Sequence, residues 1–282
     1  MQLITDEILT QVITPRLPET HKGNYGRVLV IGGSKLYGGA GILSASAALL
    51  TGAGLITLAS DTVNRNALHA RYPEIMFLDW TDLTTLSSLI KQANVIVIGP
   101  GLGLDTDAQK LLQLTLTTVN AQQTLIIDGS ALTLLATGDF KTNCPAQLVL
   151  TPHQEEWHRL SGLKISEQNP IANQTALATK FPKQTILVLK QHRTEIYSHQ
   201  DIFQNTSGTA AMATGGMGDT LTGIIAALIA QFKDPLPATL AAVYLHGLAG
   251  QLVGATHYVA LPSTLIERLP ELMVQYSQKH SK

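Results

Sequence analysis

Short runs of β-branched and aliphatic residues recur along this chain at 27–31, 55–59, 95–98, 124–127, 147–150 and 185–189, and nearly all end at glycine or a polar turn. Helical patterning fills the spaces between them, at 39–51, at 105–119 and from 155 to 160. Unbroken apolar strands alternating with helices predict a mainly parallel sheet covered on both faces, which is an α/β fold. Ligands in such sheets collect at the carboxyl ends of the strands. There the sequence places Gly32-Gly33, Gly99-Pro100-Gly101-Leu102-Gly103, Asp128-Gly129, Thr151-Pro152-His153 and Lys190. Residues 195–205 read as a hairpin, and the last helices are expected at 237–253 and 263–275. No Pro/Ser-rich linker, charge block or fixed-period repeat interrupts the pattern, so residues 1–282 are expected to form a single domain.

The hairpin leads into G-T-A-A-M-A-T-G-G-M-G-D-T-L-T-G at 208–223, followed by the apolar run 224–232. Gly208, Gly215, Gly216 and Gly218 let main-chain N–H groups approach a ligand closely. The free amides and positive dipole end of the following helix favour an anion there, typically a phosphate. Asp219 in that first turn would lie beside the phosphate, where a carboxylate is costly unless it takes a proton or faces a metal. The combination suggests an oxygen nucleophile activated by Asp219 and attacking a phosphoryl group. A glycine-rich connection with Asp219 as a helix cap accounts for the same letters with no chemistry.

Composition excludes several classes. Hydrophobic residues are 45% of the chain, while charged residues are 14% against about 25% in an average soluble domain. So few charges suggest surface buried against identical subunits. A net charge of −1 with scattered Lys and Arg leaves no footprint for nucleic acid or an anionic membrane. Cys144 is the single cysteine, so no internal disulfide framework or Cys-based metal cluster exists, and the nine histidines show no metal-ligand spacing. Residues 1–21 lack the apolar core of a signal peptide, and 238–255, with His246, Gln251 and three glycines, reads as a buried helix rather than a membrane span. A soluble, cytoplasmic protein is expected.

Neither common phosphate loop is present. G-G-S-K-L-Y-G-G-A-G after the first strand departs from G-x-G-x-x-G, and no glycine precedes Lys-Ser or Lys-Thr. Single residues leave alternatives open. His153 is a ligand contact or a helix start; Lys190 touches a nucleotide or snorkels at the sheet edge. Asp128 supports a metal–water shell or caps the next helix. Trp80 and Trp157 read as packing residues.

Four stretches together carry a resemblance: G-N-Y-G-R-V-L-V-I-G-G-S-K-L-Y-G-G-A (23–40), I-G-P-G-L-G (98–103), T-P-H-x-x-E (151–156) and A-T-G-G-M-G-D-x-L-x-G (213–223). Y-L-H-G-L-A-G (244–250) supports them. In this order the chain resembles the NAD(P)H-hydrate dehydratases of the ribokinase-like superfamily. The resemblance implies a three-layer α/β/α sandwich around a mainly parallel sheet. It implies repair of hydrated NADH and NADPH (the S epimer) by nucleotide-dependent removal of water, with Mg²⁺. ADP is the expected co-substrate, since the stand-alone chain resembles the bacterial type, with ATP as the alternative. Carried over by position, Ala40, Gly103, His153 and Asp219 would contact the hydrated nucleotide. Lys190, Gln191, His192, Arg193 and Thr194, with Gly215, Gly216, Met217 and Gly218, would bind the adenine nucleotide, and Asp219 would be catalytic. No metal ligand is assigned. Relatives form homo-oligomers, a tetramer being favoured, and some are fused to an epimerase domain for which strand one leaves no room here. The chain departs from the family at Gln154-Glu155 (commonly Pro-Gly), at Gln191 (commonly Gly) and at Gly129-Ser130, where a second acid is usual. Rival readings are a vitamin-precursor alcohol kinase of the same superfamily and a non-catalytic nucleotide sensor.

Overall fold

The computed structural model describes residues 1–140 and 144–279. Its strands are β1 (Gln2–Ile4), β2 (Arg27–Ile31), β3 (Leu55–Ser60), β4 (Met76–Asp79), β5 (Val95–Ile98), β6 (Thr124–Ile127), β7 (Gln147–Leu150), β8 (Ile186–Leu189), β9 (Glu195–Tyr197) and β10 (Ile202–Asn205). The helices are α1 (Glu7–Val12), α2 (Gly38–Leu50), α3 (Arg65–Arg71), α4 (Leu83–Gln92), α5 (Thr106–Thr118) and α6 (Gly129–Thr137). They continue with α7 (Gln154–Ser161), α8 (Pro170–Lys180), α9 (Met217–Phe232), α10 (Pro235–Gly254), α11 (Pro262–Ile266) and α12 (Leu269–Lys279).

One sheet of order β1-β10-β9-β8-β7-β6-β5-β2-β3-β4 contains all ten strands, and among the described residues only β9 runs against its neighbours. Alternation along each strand divides the core. Val28, Val30, Val95 and Val97 pack under α1, α2, α9 and α10, whereas Leu29, Ile31, Ile96 and Ile98 pack under α4 to α8. The result is the three-layer α/β/α sandwich, because strands apolar on both faces stay dry only between two helical layers.

The two helices that carry the glycine-rich segments lie against each other. A side chain at Gly223 of α9 would fall onto the carbonyl of Ser44 in α2 and stand 2.9 Å from the Ala47 methyl. α10 is long and apolar enough to cross a membrane by length and composition, but 67% of its most apolar window is buried inside the protein. Trp157 is fully buried and donates its indole N–H to Asn173 Oδ1 at 2.9 Å; Trp80 is half-buried.

Two expectations need correction. The helix expected over 263–275 is two helices, α11 and α12, because Pro270 has no N–H to bond the Ile266 carbonyl four residues back, and α11 ends at that residue. Two strands also escaped the sequence pattern: β1 and β4 are short edge strands with only partial burial, so neither shows a continuous apolar run.

The chain runs from β2 outward to β4, returns to β5 beside β2, and then builds outward the other way. The order therefore reverses between β2 and β5. A crevice opens at such a switch point, outside the carboxyl ends of the strands.

Candidate active site

The loops after β2 and β5 interlock at this switch point. Gly33 donates its amide to the Pro100 carbonyl at 2.8 Å, and Ser34 donates to Gly101 at 2.7 Å. Gly101 has φ of 61°, and a side chain there would stand 2.9 Å from the Ala40 methyl, so glycine alone lets this loop lie on the start of α2. Gly103, with φ of 92°, donates its amide to Ser130 Oγ at 3.2 Å. Ala40 and Gly103 thus border the same crevice.

A pocket of about 550 Å³ lies beside it, at the end of β8 and along the β9–β10 hairpin. Lys190, Gln191, His192, Arg193 and Thr194 form one wall, Asn205, Thr206, Ser207 and Gly208 another, and Met217 and Gly218 of α9 close it. Gly215, Gly216 and Asp219 stand outside this lining, as do Ala40, Gly103 and His153. His192 and Arg193 are exposed, and the Arg193 guanidinium offers positive charge at the rim.

α9 begins after Gly216, whose φ of 92° is the left-handed turn that aims the first amides outward. No side chain caps this end. Gly218 is not among the positive-φ glycines; a side chain there would crowd the Lys190 ammonium at 3.2 Å.

Behind this helix start four charged groups share one field. Asp128 at the end of β6 is 2% exposed. Its Oδ1 accepts from Lys190 Nζ at 2.8 Å and from Thr151 Oγ1 at 2.7 Å, and the Thr222 hydroxyl stands 3.1 Å from Oδ2. Burial alone would push this carboxyl up, but the Lys190 ammonium and the hydrogen bonds outweigh it and hold it below the usual carboxylate range. Burial likewise works against the Lys190 charge, and the surrounding acids Asp128, Glu156 and Asp219 overcome it, holding the ammonium above its ordinary value. Asp219 is pushed up to about 6, first by burial and then by the charge of Asp128, with Lys190 opposing and Glu156 adding. Glu156 is raised chiefly by burial.

His153 caps α7. Its Nδ1 accepts from the amides of Glu155 and Glu156 at 3.2 and 3.3 Å, while its own amide donates to Glu156 Oε2 at 2.8 Å. Its side chain is half exposed, and its backbone pairs with Lys190 in an isolated parallel bridge. The helix-start reading of His153 is what this geometry displays.

Sequence reasoning missed what Asp128 does. It occupies the N-cap position of α6, yet its carboxylate makes no capping bond and turns to Lys190 instead. An acid directly after a fully buried apolar strand was the available signal. His246 of α10 was also missed: it lines the pocket at the end of β8, and burial lowers its imidazole to about 4, so the ring is neutral. Among the described residues no group of three or more His, Cys, Asp or Glu is arranged to hold a metal ion.

Comparison with known proteins agrees with this geometry. Residues 28–271 match the family model described as NAD(P)H-hydrate dehydratase. The chain is 47% identical over 281 residues to the ADP-dependent (S)-NAD(P)H-hydrate dehydratase of Enterococcus faecalis, covering 100% of this chain and 96% of that one. Its fold matches a crystal structure of a ribokinase-like superfamily protein from E. faecalis with a TM-score of 0.95 and 46% identity, over 99% of this chain and 97% of that one. It also matches the ADP/ATP-dependent NAD(P)H-hydrate dehydratase of Bacillus subtilis co-crystallised with ATP/Mg²⁺, with a TM-score of 0.85 and 28% identity over 98% of each chain.

Proposed function

The chain belongs to the NAD(P)H-hydrate dehydratase family, and from that premise we propose how its site restores hydrated NADH and NADPH at the expense of ADP. The observation that carries the reading is Asp219, raised to about 6 and set in the uncapped first turn of α9, directly after the Gly218 that closes the pocket. Such a carboxylate is ionised at neutral pH yet basic enough to accept a proton.

The hydrated nicotinamide lies in the crevice against Ala40, Gly103 and His153. The adenine nucleotide lies in the pocket against 190–194, with its phosphates at the amides of 215–218. Asp219 takes the proton of the ring hydroxyl as that oxygen attacks the terminal phosphoryl of ADP, and AMP leaves. The ring nitrogen's lone pair then expels phosphate from carbon, and loss of a proton from the neighbouring carbon restores the dihydronicotinamide. Hydroxide leaves poorly and phosphate well, which is what the phosphoryl transfer achieves. The amides at the helix start stabilise charge on the transferring group by position and electrostatics.

Mg²⁺ fits this chemistry as a companion of the nucleotide. Lys190 carries one positive charge against the three carboxylates of Asp128, Glu156 and Asp219, so phosphates arrive at a site already short of cations. Mg²⁺ would arrive with the nucleotide phosphates and offset their charge.

The exposed apolar side chains Leu36, Tyr37, Tyr258 and Leu261 support assembly into a closed homo-oligomer, a tetramer being favoured. The whole of 1–282 acts as one dehydratase domain, and the protein works in the cytoplasm, where its substrates are made.

The test mixes protein, Mg²⁺, hydrated NADH and ADP or ATP, and follows near-ultraviolet dihydronicotinamide absorbance. Recovery should require nucleotide and release one phosphate per substrate. A stable phosphorylated alcohol with untouched hydrate would instead establish a kinase.

A further inference from the structure

Asp128 withholds its carboxylate from the helix it precedes, although an aspartate in the N-cap position ordinarily bonds the amides of the first turn. What it grips instead joins three elements. Oδ1 accepts from Lys190 Nζ, at the end of β8, and from Thr151 Oγ1, at the end of β7. On the other side the Thr222 hydroxyl of α9 stands between Asp128 Oδ2 at 3.1 Å and the Gly218 carbonyl at 2.9 Å. The ammonium is thereby fixed beside Gly218, whose missing side chain leaves the room it occupies. A lysine is otherwise a flexible point charge on a four-carbon stem, with much rotamer freedom to lose on meeting an anion. Here that freedom is removed beforehand by a carboxylate that is itself immobilised.

We propose that Asp128 is a positioning residue for the phosphoryl-transfer step, acting through Lys190: with Thr151 and Thr222 as its supports, it holds the ammonium at the start of α9 where the nucleotide phosphates bind. Asp128 does not reach the nucleotide. The inference rests on the reading of the pocket and the α9 amides as an adenine-nucleotide site. It assigns Thr222 a purpose beyond helix packing, and it explains a charged pair buried where an apolar pair would fill the space at no desolvation cost.

The test measures binding of ADP and of adenosine to the wild-type protein and to the Asp128→Asn, Thr222→Val, Lys190→Met and Asp128→Asn/Lys190→Met variants by calorimetric titration, with thermal unfolding to establish that each is folded. Asparagine keeps the shape and an oxygen for Thr151, and its amide nitrogen can donate to the Thr222 hydroxyl, but it removes the charge that holds the ammonium. Affinity of Asp128→Asn for ADP should fall about tenfold or more while its affinity for adenosine stays near wild type, because a charge-assisted contact to phosphate is what has been loosened. In the Lys190→Met background the Asp128 substitution should add little further loss for ADP, since the group it acts through is gone. Thr222→Val, which leaves both charges in place, should give a smaller loss of the same kind and covers the case in which Asp128→Asn does not fold. Equal weakening of ADP and adenosine would overturn the proposal and leave Asp128 a structural strut. So would a full additional loss from Asp128→Asn in the Lys190→Met background. A wild-type protein that fails to bind ADP would remove the nucleotide-site reading itself. Binding by the wild type with an unchanged ADP-to-adenosine ratio in Asp128→Asn would remove the positioning role alone.

Discussion

Lys190→Met exposes the energetics of the buried charge cluster most directly. Removing one partner of a buried ion pair typically costs about 3–5 kcal/mol. Lys190 is 20% exposed, and Asp128 keeps its bonds to Thr151 and Thr222, so the lower end, about 3 kcal/mol, is expected at neutral pH. Protonation sets a ceiling. Neutralising a carboxyl with an unfolded pKa of about 3.9 costs about 1.4 kcal/mol per pH unit above that value, hence about 4 kcal/mol at pH 7 and about 1.5 kcal/mol at pH 5. In the wild-type protein Asp128 titrates below its unfolded value, so its stabilisation is present above that value and is lost as the pH falls through the folded one. Without Lys190 burial dominates and Asp128 titrates above its unfolded value. The sign reverses: the destabilisation is full at neutral pH and fades as the pH falls. Glu156 and Asp219 lose the same ammonium and move the same way. An unfolding entropy of ~2.1 cal/mol/K per residue converts these figures to a Tm deficit of about 5 °C at pH 7 and at most about 2.5 °C at pH 5. Scanning fluorimetry of both proteins in matched buffers from pH 5 to 7 reads the difference. A deficit that is absent, or equal at both ends, would refute the assignment of Asp128 and Lys190 as a mutually dependent buried pair.

Asp219→Asn keeps the size of the side chain but cannot accept the substrate proton, so turnover should fall by about 10²–10⁴ while calorimetry shows nucleotide binding retained. The kcat/KM of the wild-type protein should decline as the pH drops through about 6, where Asp219 takes up its proton, and Lys190→Met should move that limb upward because the ammonium lowers Asp219. Gly218→Val should weaken both nucleotide binding and turnover, since its side chain would meet the Lys190 ammonium at 3.2 Å; titration with ADP measures it. Light scattering across the micromolar range should report a defined oligomer; a monomer throughout would leave the exposed apolar side chains unexplained.

Much of the sheet was legible because its central strands are buried on both faces, which makes each an unbroken apolar run. β2, β5, β6 and β7 fall on the residues that the pattern marked. The pattern fails at the margins for the same reason. β1 and β4 are edge strands, half-wet and short, and α11 and α12 are divided by the missing N–H of one proline, which hydrophobic periodicity does not register. At the site, glycines and Asp219 were readable because their chemistry is local: a loop, a helix start and an acid adjacent in sequence. Asp128 was not. Its partners come from positions 151, 190 and 222, and only folding brings them together.

The departures from the family pattern follow the same logic. Gln154 stands where proline is common and Gln191 where glycine is common. In the structure Gln154 Nε2 donates to Gln191 Oε1 at 3.3 Å, so the two departures touch each other and tie the start of α7 to the wall of the pocket. Ser130 stands where a second acid is usual, and its hydroxyl accepts the amide of Gly103, holding the loop that borders the crevice. An acid at that position would add a fourth carboxylate near a site that already sets three against one ammonium. Serine supplies the acceptor that Gly103 needs without adding to that imbalance, so the loop is held with no further negative charge at the site.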